Sequence, residues 1–198
     1  MPDQHSIKAK LIQAACEMLA ESGPNAMTVR NVATRAGVNH GQVHHYFGGK
    51  QGLVNAAAEQ LATEHYEHAN ERAESRPIPP SLTLSQDSLY LRSFVRMALD
   101  GDPDTATREE RLGKSVPAKV RLHLMETFSD KVPVIEIKSR MALTFALELG
   151  WAALEPTLME MVKAQPSELG EIRSRAKQLA RKFLDELDEL HEPTKLEG

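Results

Sequence analysis

The sequence predicts an all-α fold, and three observations carry that expectation. Val, Ile and Thr form no alternating runs, while Ala, Leu, Glu, Lys, Arg, Gln and Met are plentiful. Those are the residues that lose least on entering a helix. Apolar residues recur at steps of three and four along most of the chain. Glycines and prolines then cluster between the periodic stretches, where they end helices.

The 198 residues suffice for one large domain or two small ones. A hydrophobic fraction of 41% and a charged fraction of 26% are ordinary for a globular chain. The lone cysteine, Cys16, excludes an internal disulfide framework and a CxxC metal site. No apolar run approaches the roughly 18 residues of a membrane span. The N-terminal MPDQHSIKAK has no apolar core of the signal-peptide kind. A soluble, cytoplasmic protein is the expectation.

Ser6 is placed to cap a first helix, in which Ile7, Leu11, Ala14, Ala15, Met18 and Leu19 share a face. Ser22-Gly23-Pro24-Asn25 ends it. Two short helices follow within 28–47, then a Gly48-Gly49 break. A longer helix is expected from about Lys50 to Ala73, with Leu53, Val54, Ala57 and Leu61 inward. The prolines of Arg76-Pro77-Ile78-Pro79-Pro80-Ser81 require an exposed, non-helical connection.

The second half continues with Ser88 to Leu99, whose expected inner face is Leu91, Phe94, Val95 and Ala98. A short polar helix over Asp104 to Leu112 ends at Gly113. Pro117 opens another, with Val120, Leu124, Met125 and Phe128. Pro133 starts a long apolar segment to Val162 that Pro156 is expected to kink or split. The last helix, Ser167 to Leu190, carries Leu169, Ile172, Ala176, Leu179, Phe183, Leu187 and Leu190 on one stripe, widened by Ala180 and Leu184. The segment before it is apolar around most of its circumference. Two such neighbours fit either a four-helix interface between identical subunits or a monomeric core.

Charge singles out one region. The net charge is −4, yet no acidic residue stands between Glu21 and Glu59. That window holds Arg30, Arg35, Lys50, His40, His44 and His45. The acids concentrate elsewhere, as at Asp185, Glu186, Asp188 and Glu189. An acid-free surface suits an end that faces phosphates.

Within that window Ala33 is small where two helices would cross, and Gly37 falls in the turn, where a positive φ favours glycine. Val38, Val43 and Phe47 are spaced to pack back on Val29 and Val32. These offsets fix two helices at a steep angle. Thr28 can cap the first of them and offer a phosphate contact. Arg30 lies in its first turn. Asn39 can cap the second, whose first turns hold His40, Gly41, Gln42 and His44, the part of such a helix that enters a major groove. Gln42 can pair with adenine N6 and N7, or complete a capping box with Asn39. His44, His45 and Tyr46 can donate to phosphates, and Tyr46 can also serve the core. Lys50 opens the next helix, where its ammonium and the helix amides can hold one phosphate. Arg35 reads as a solvated outer-face residue. His40 with His44, and His65 with His68, stand at ligand spacing, but nothing supplies further ligands, so neither a metal nor any other cofactor is expected.

Ala14-Ala15, Gly23, Thr28-Val29-Arg30, Ala36-Gly37-Val38, Gly41, Tyr46-Phe47 and Lys50 resemble the N-terminal domain of the tetracycline-repressor (TetR) family of bacterial regulators. The match runs from about Ile7 to Leu53. It implies residues 1–52 as a DNA-binding domain with its motif at 28–47, and residues 53–198 as a helical effector-binding and dimerisation domain. It also implies a homodimer joined through the last two long helices. The chain departs from the family pattern at Gln42, often a small hydroxyl residue, at His44, usually tyrosine, and at Gly48, commonly lysine or polar. Gln42 therefore suggests a distinct operator preference.

The expected activity is that of a ligand-responsive repressor of transcription, released from a near-palindromic operator by a small apolar effector. Phe94, Met97, Met125, Phe128, Met141, Phe145 and Trp151 are the candidate effector contacts, since methionines and aromatics line adaptable apolar pockets as well as ordinary cores. Glu148 and Glu155 can hold a polar ligand group or an interfacial partner, or reach solvent. No nucleophile beside a base, phosphate-binding glycine loop or paired carboxylates marks an enzyme. A helical adaptor or scaffold without DNA binding is the other reading.

Overall fold

The computed structural model describes residues 4–189, with side chains over residues 6–184. The expected places of Leu187 and Leu190 on the last stripe, and the side chains of Asp185, Glu186, Asp188 and Glu189, lie outside the described residues. The described chain is helical, with no strand. Its elements are α1 (Gln4–Ala26), α2 (Val29–Ala36), α3 (Gly41–Phe47), α4 (Lys50–Ala73), α5 (Ser88–Leu99), α6 (Thr105–Arg111), α7 (Val116–Phe128), α8 (Val134–Met161) and α9 (Leu169–Glu189).

Two compact units divide the chain. One holds the residues up to His68 together with Asp87–Ser115. The other holds Ala69–Gln86 and the residues from Val116 onward. The division falls within α4, between His68 and Ala69, and α5 and α6 belong to the first unit.

In the first unit Leu11, Leu19, Met27, Val32, Val43 and Leu53 are fully buried. α1 runs beside α5 and α2, and the Arg96 Nε donates to the Ala20 carbonyl at 3.0 Å. Helical geometry in α1 breaks at Gly23, whose φ of 76° favours glycine. One expectation fails here: α1 has already begun at Gln4, so Ser6 is inside the helix and does not cap it.

The inner face of α5 is also turned from the expected one. Tyr90, Leu91, Ser93 and Met97 are buried, Phe94 and Val95 are half-buried, and Ala98 is exposed. Polar partners make the difference. The Tyr90 hydroxyl donates to Glu109 at 2.6 Å, so a phenol can face inward without losing its hydrogen bond. The same chemistry buries Arg108 and Glu109 in α6, a helix whose sequence looks polar throughout. Arg108 Nη2 donates to Asp102 at 2.8 Å.

The core of the second unit is Val120, Leu124, Phe128, Val132, Ile137 and Met141, with Ile78, Met125, Phe145 and Leu184 against it. The connection after α4 is non-helical, but Ile78 joins this core and Leu82 is buried, so it is less exposed than its prolines suggest. Leu82 holds a φ of 56°, and its N–H donates to the Glu148 carboxylate. Glu155 pairs with Arg173 and ties α8 to α9, as does Arg140 Nη1 on the Phe183 carbonyl at 3.0 Å. Pro156 does not split α8. The helix continues through it to Met161, because a single missing N–H on an exposed face leaves the neighbouring bonds to carry the helix.

Candidate nucleic-acid interface

The steep pair of short helices forms as its spacing requires. Thr28 caps α2: its Oγ1 accepts from the Asn31 N–H at 3.1 Å, and Asn31 Oδ1 accepts from the Thr28 N–H at 2.8 Å. This reciprocal box satisfies two donors that a helix start leaves open. Asn31 carries no apolar or charge signal in the sequence; its position three after Thr28 is what marks it. Gly37 ends α2 at φ 67°, and the Val38 N–H returns to the Ala33 carbonyl at 3.0 Å. Ala33, Val32 and Val43 are buried, while Val29, Val38 and Phe47 are half-buried at the edge.

Asn39 opens the third helix. Its Oδ1 accepts from the Gly41 N–H at 2.8 Å, and His40, at φ −60° and ψ −26°, already has helical geometry. Asn39 is therefore the capping side chain. The Gln42 N–H donates to the Asn39 backbone carbonyl at 3.0 Å, but among the described residues its side chain makes no hydrogen bond to Asn39, so the alternative capping box does not form. The Gln42 side chain is half-buried.

Thr28, Arg30, Asn39, His40, Gly41, His44 and His45 are exposed, and Tyr46 and Lys50 are half-buried. Tyr46 stands edge-on between its neighbours, with ring centroids 4.8 Å from His45 and 6.3 Å from Phe47. Arg35 is engaged internally, at 2.7 Å from Glu21 and 3.7 Å from Glu17 on α1. That guanidinium holds the Glu21 carboxyl below its ordinary range, and it takes Arg35 out of the free cations of this face.

Gly52 was not singled out in the sequence. A Cβ at that position would meet the Phe47 backbone carbonyl oxygen at 1.9 Å. Only glycine lets the first turn of α4 approach the end of α3 this closely. The orientation of α3 therefore depends on a residue outside the 28–47 motif.

The expected effector residues fall in both units. Phe94 and Met97 border a narrow cavity of about 10 Å³ in the first unit, beside Ser93, Arg108 and Glu109, with space for a single water. Met125, Phe128, Met141 and Phe145 come together in the second unit's core, and Trp151 is half-buried on α8. The two carboxylates left open in the sequence are both engaged: Glu148 with backbone amides of the connection and Glu155 with Arg173. Burial pushes the Glu148 carboxyl up, against those amides, which lower it. Among the described residues no three His, Cys, Asp or Glu side chains are grouped to hold a metal ion.

A capped α2, a glycine turn and a short α3, in a stretch of chain without an acid, define a helix-turn-helix domain within an all-helical protein. Residues 11–57 match the pattern of the family described as bacterial regulatory proteins, tetR family. It is 34% identical over 100 residues to the HTH-type transcriptional repressor Rv3405c of Mycobacterium tuberculosis, covering 50% of each chain. It is 43% identical over 54 residues to the HTH-type transcriptional regulator BetI 1 of Chromohalobacter salexigens, 27% of each chain. The chain thus spans about half the length, or less, of the curated relatives it matches. The fold as a whole is similar to the crystal structure of a tetR-family transcriptional regulator from Streptomyces coelicolor, with a TM-score of 0.59, 17% identity, and coverage of 96% of this chain and 82% of that one. These relatives are regulators, not enzymes. No helix among the described residues is long and apolar enough to cross a membrane.

Proposed function

We propose that the chain is a ligand-responsive, DNA-binding transcriptional regulator of the cytoplasm, acting as a homodimeric repressor that a small effector releases from its operator. The observation that carries the DNA-binding reading is the exposed first turns of α3, with Arg30 and the histidines, in a stretch of chain without an acid between Glu21 and Glu59. Phosphate contacts fall to Thr28, Asn39, His45, Tyr46 and Lys50. Base edges fall to Arg30, His40, Gln42 and His44, with Gly41 allowing close approach. Residues 1–52 serve the operator and residues 53–198 the effector and the partner subunit.

Support for the dimer comes from α8 and α9. Leu143, Leu147, Leu154, Leu179 and Phe183 are 38–53% exposed in the single chain, an apolar area of the kind that subunit interfaces cover. Two copies of α3 would then meet half-sites about one helical turn, roughly 34–36 Å, apart. Coupling fits α4, which starts at Lys50 in the first unit and ends at Ala73 in the second. A shift of α4 on effector binding, at about 1–3 kcal/mol of coupling, changes DNA affinity about 5–150-fold. Phe94, Met97, Met125, Phe128, Met141, Phe145 and Trp151 are the effector contacts of this reading.

The test is binding of the purified chain to fragments of its own upstream region, at low salt and without effector. A retarded fragment containing a near-palindrome is the expected result. No binding to any fragment removes the regulator reading and leaves a helical scaffold. A monomeric mass at micromolar concentration removes the dimer.

A further inference from the structure

A groove of about 400 Å³ lies in the second unit, among the connection after α4, α7 and α9. Its size is that of a small-molecule site. Among the described residues its charged lining is cationic. Arg76, His123, Lys177 and Arg181 border it, and no carboxylate is among the described residues that do, on a chain whose net charge is −4. The floor is apolar, with Ile78 and Leu184 both packed on the unit's core. Pro79 and Pro80 add a wall that is stiff before anything binds, so little order is lost there on binding.

The cations are held in different ways. Arg76 Nε donates to the Ala73 carbonyl at 3.0 Å, which fixes its guanidinium at the end of α4, with Glu74 3.9 Å away. Lys177 is exposed and close enough to Glu148 to lower that carboxyl's pKa. Lys177, Arg181 and Leu184 follow one another at four and three residues, so one stripe of α9 presents both charge and apolar contact. Leu179 and Phe183 lie on the opposite stripe, leaving the groove clear of the proposed subunit interface.

We propose that this groove binds a small amphipathic anion, a carboxylate or phosphate joined to an apolar chain, with Lys177 and Arg181 on the anionic head and Ile78 and Leu184 along the chain. Charge alone in open solvent is worth little; the adjoining apolar floor supplies the rest. The site stands whether or not the protein binds DNA.

The experiment is calorimetric titration of the full chain, without DNA, using four probes: decanoate, decanol, inorganic phosphate and phosphatidylglycerol vesicles. Decanoate is expected to bind once per chain, at least tenfold tighter than decanol or phosphate. The Lys177→Gln/Arg181→Gln pair, with unchanged helical circular dichroism, weakens decanoate at least tenfold. Lys182→Gln, on α9 but outside the groove, leaves it unchanged. Equal binding of decanol, full retention in the double variant, or an equal loss in Lys182→Gln would overturn the assignment. Vesicle binding without decanoate binding would also overturn it, in favour of a lipid surface.

Discussion

His65 Nδ1 lies 2.7 Å from one carboxylate oxygen of Asp87, and His68 Nδ1 lies 2.9 Å from the other. The two imidazoles are three residues apart, on one face of α4. Asp87 immediately precedes α5, so one buried carboxylate joins the two helices. His65 is buried too, stacked on Tyr90 at 4.0 Å between ring centroids.

Asp87→Ala leaves the buried His65 Nδ1 without its partner, and a buried orphan of this kind costs about 1–3 kcal/mol. The urea midpoint should fall with an unchanged m-value. An unaltered midpoint would show that water replaces the carboxylate.

Glu109 gives a pH signature. Burial pushes its carboxyl above the ordinary 4.5, against the lowering effect of the Tyr90 hydroxyl. Its folded value exceeds its unfolded one. The stability it contributes is therefore complete below the unfolded value and is lost as pH rises through the folded value. In Glu109→Gln that dependence disappears while an oxygen remains to accept from Tyr90. The stability of the wild type minus that of the variant should decline as pH rises above the ordinary carboxylate range. A flat difference would contradict the raised carboxyl.

Two glycines separate backbone strain from close approach. At Gly37 a Cβ meets nothing within 4 Å, and only the φ of 67° opposes it, so Gly37→Ala should cost about 1–2 kcal/mol. At Gly52 the Cβ would lie 1.9 Å from a backbone oxygen. Gly52→Ala should exceed the 1–3 kcal/mol or so typical of overpacking. It should also weaken DNA binding by moving α3. Equal unfolding free energies for the two variants would refute the distinction.

On DNA, Lys50→Ala should weaken binding to every sequence and reduce the salt slope by about one. Gln42→Ala should change preference at one base pair by about 1–3 kcal/mol and leave the slope alone. Binding titrations at several salt concentrations, on the operator and on single-base variants, separate the two. A uniform loss in Gln42→Ala would move that residue to the phosphate group.

Local rules made much of this protein legible. Thr28, Gly37, Asn39 and Lys50 mark helix ends because capping and positive φ act over three or four residues, and the chain alone supplies those partners. The tetR-type domain, the bounds of α4 and α5, and the glycine turn follow from such signals. What lay outside the sequence depends on how separate elements meet. Tyr90 and α6 turn inward because Glu109 and Asp102 arrive to satisfy them. Arg35 is engaged because α1 brings Glu21 to it, fourteen residues back. Gly52 is irreplaceable only once α3 and α4 meet. The sequence by itself determined the order of the helices and the caps of α2 and α3. The tertiary structure decided which polar groups are buried, which cations remain free, and where α3 points. Periodicity reports a residue's face along its own helix, whereas burial of a charge or a close backbone contact is settled by what the fold brings opposite it.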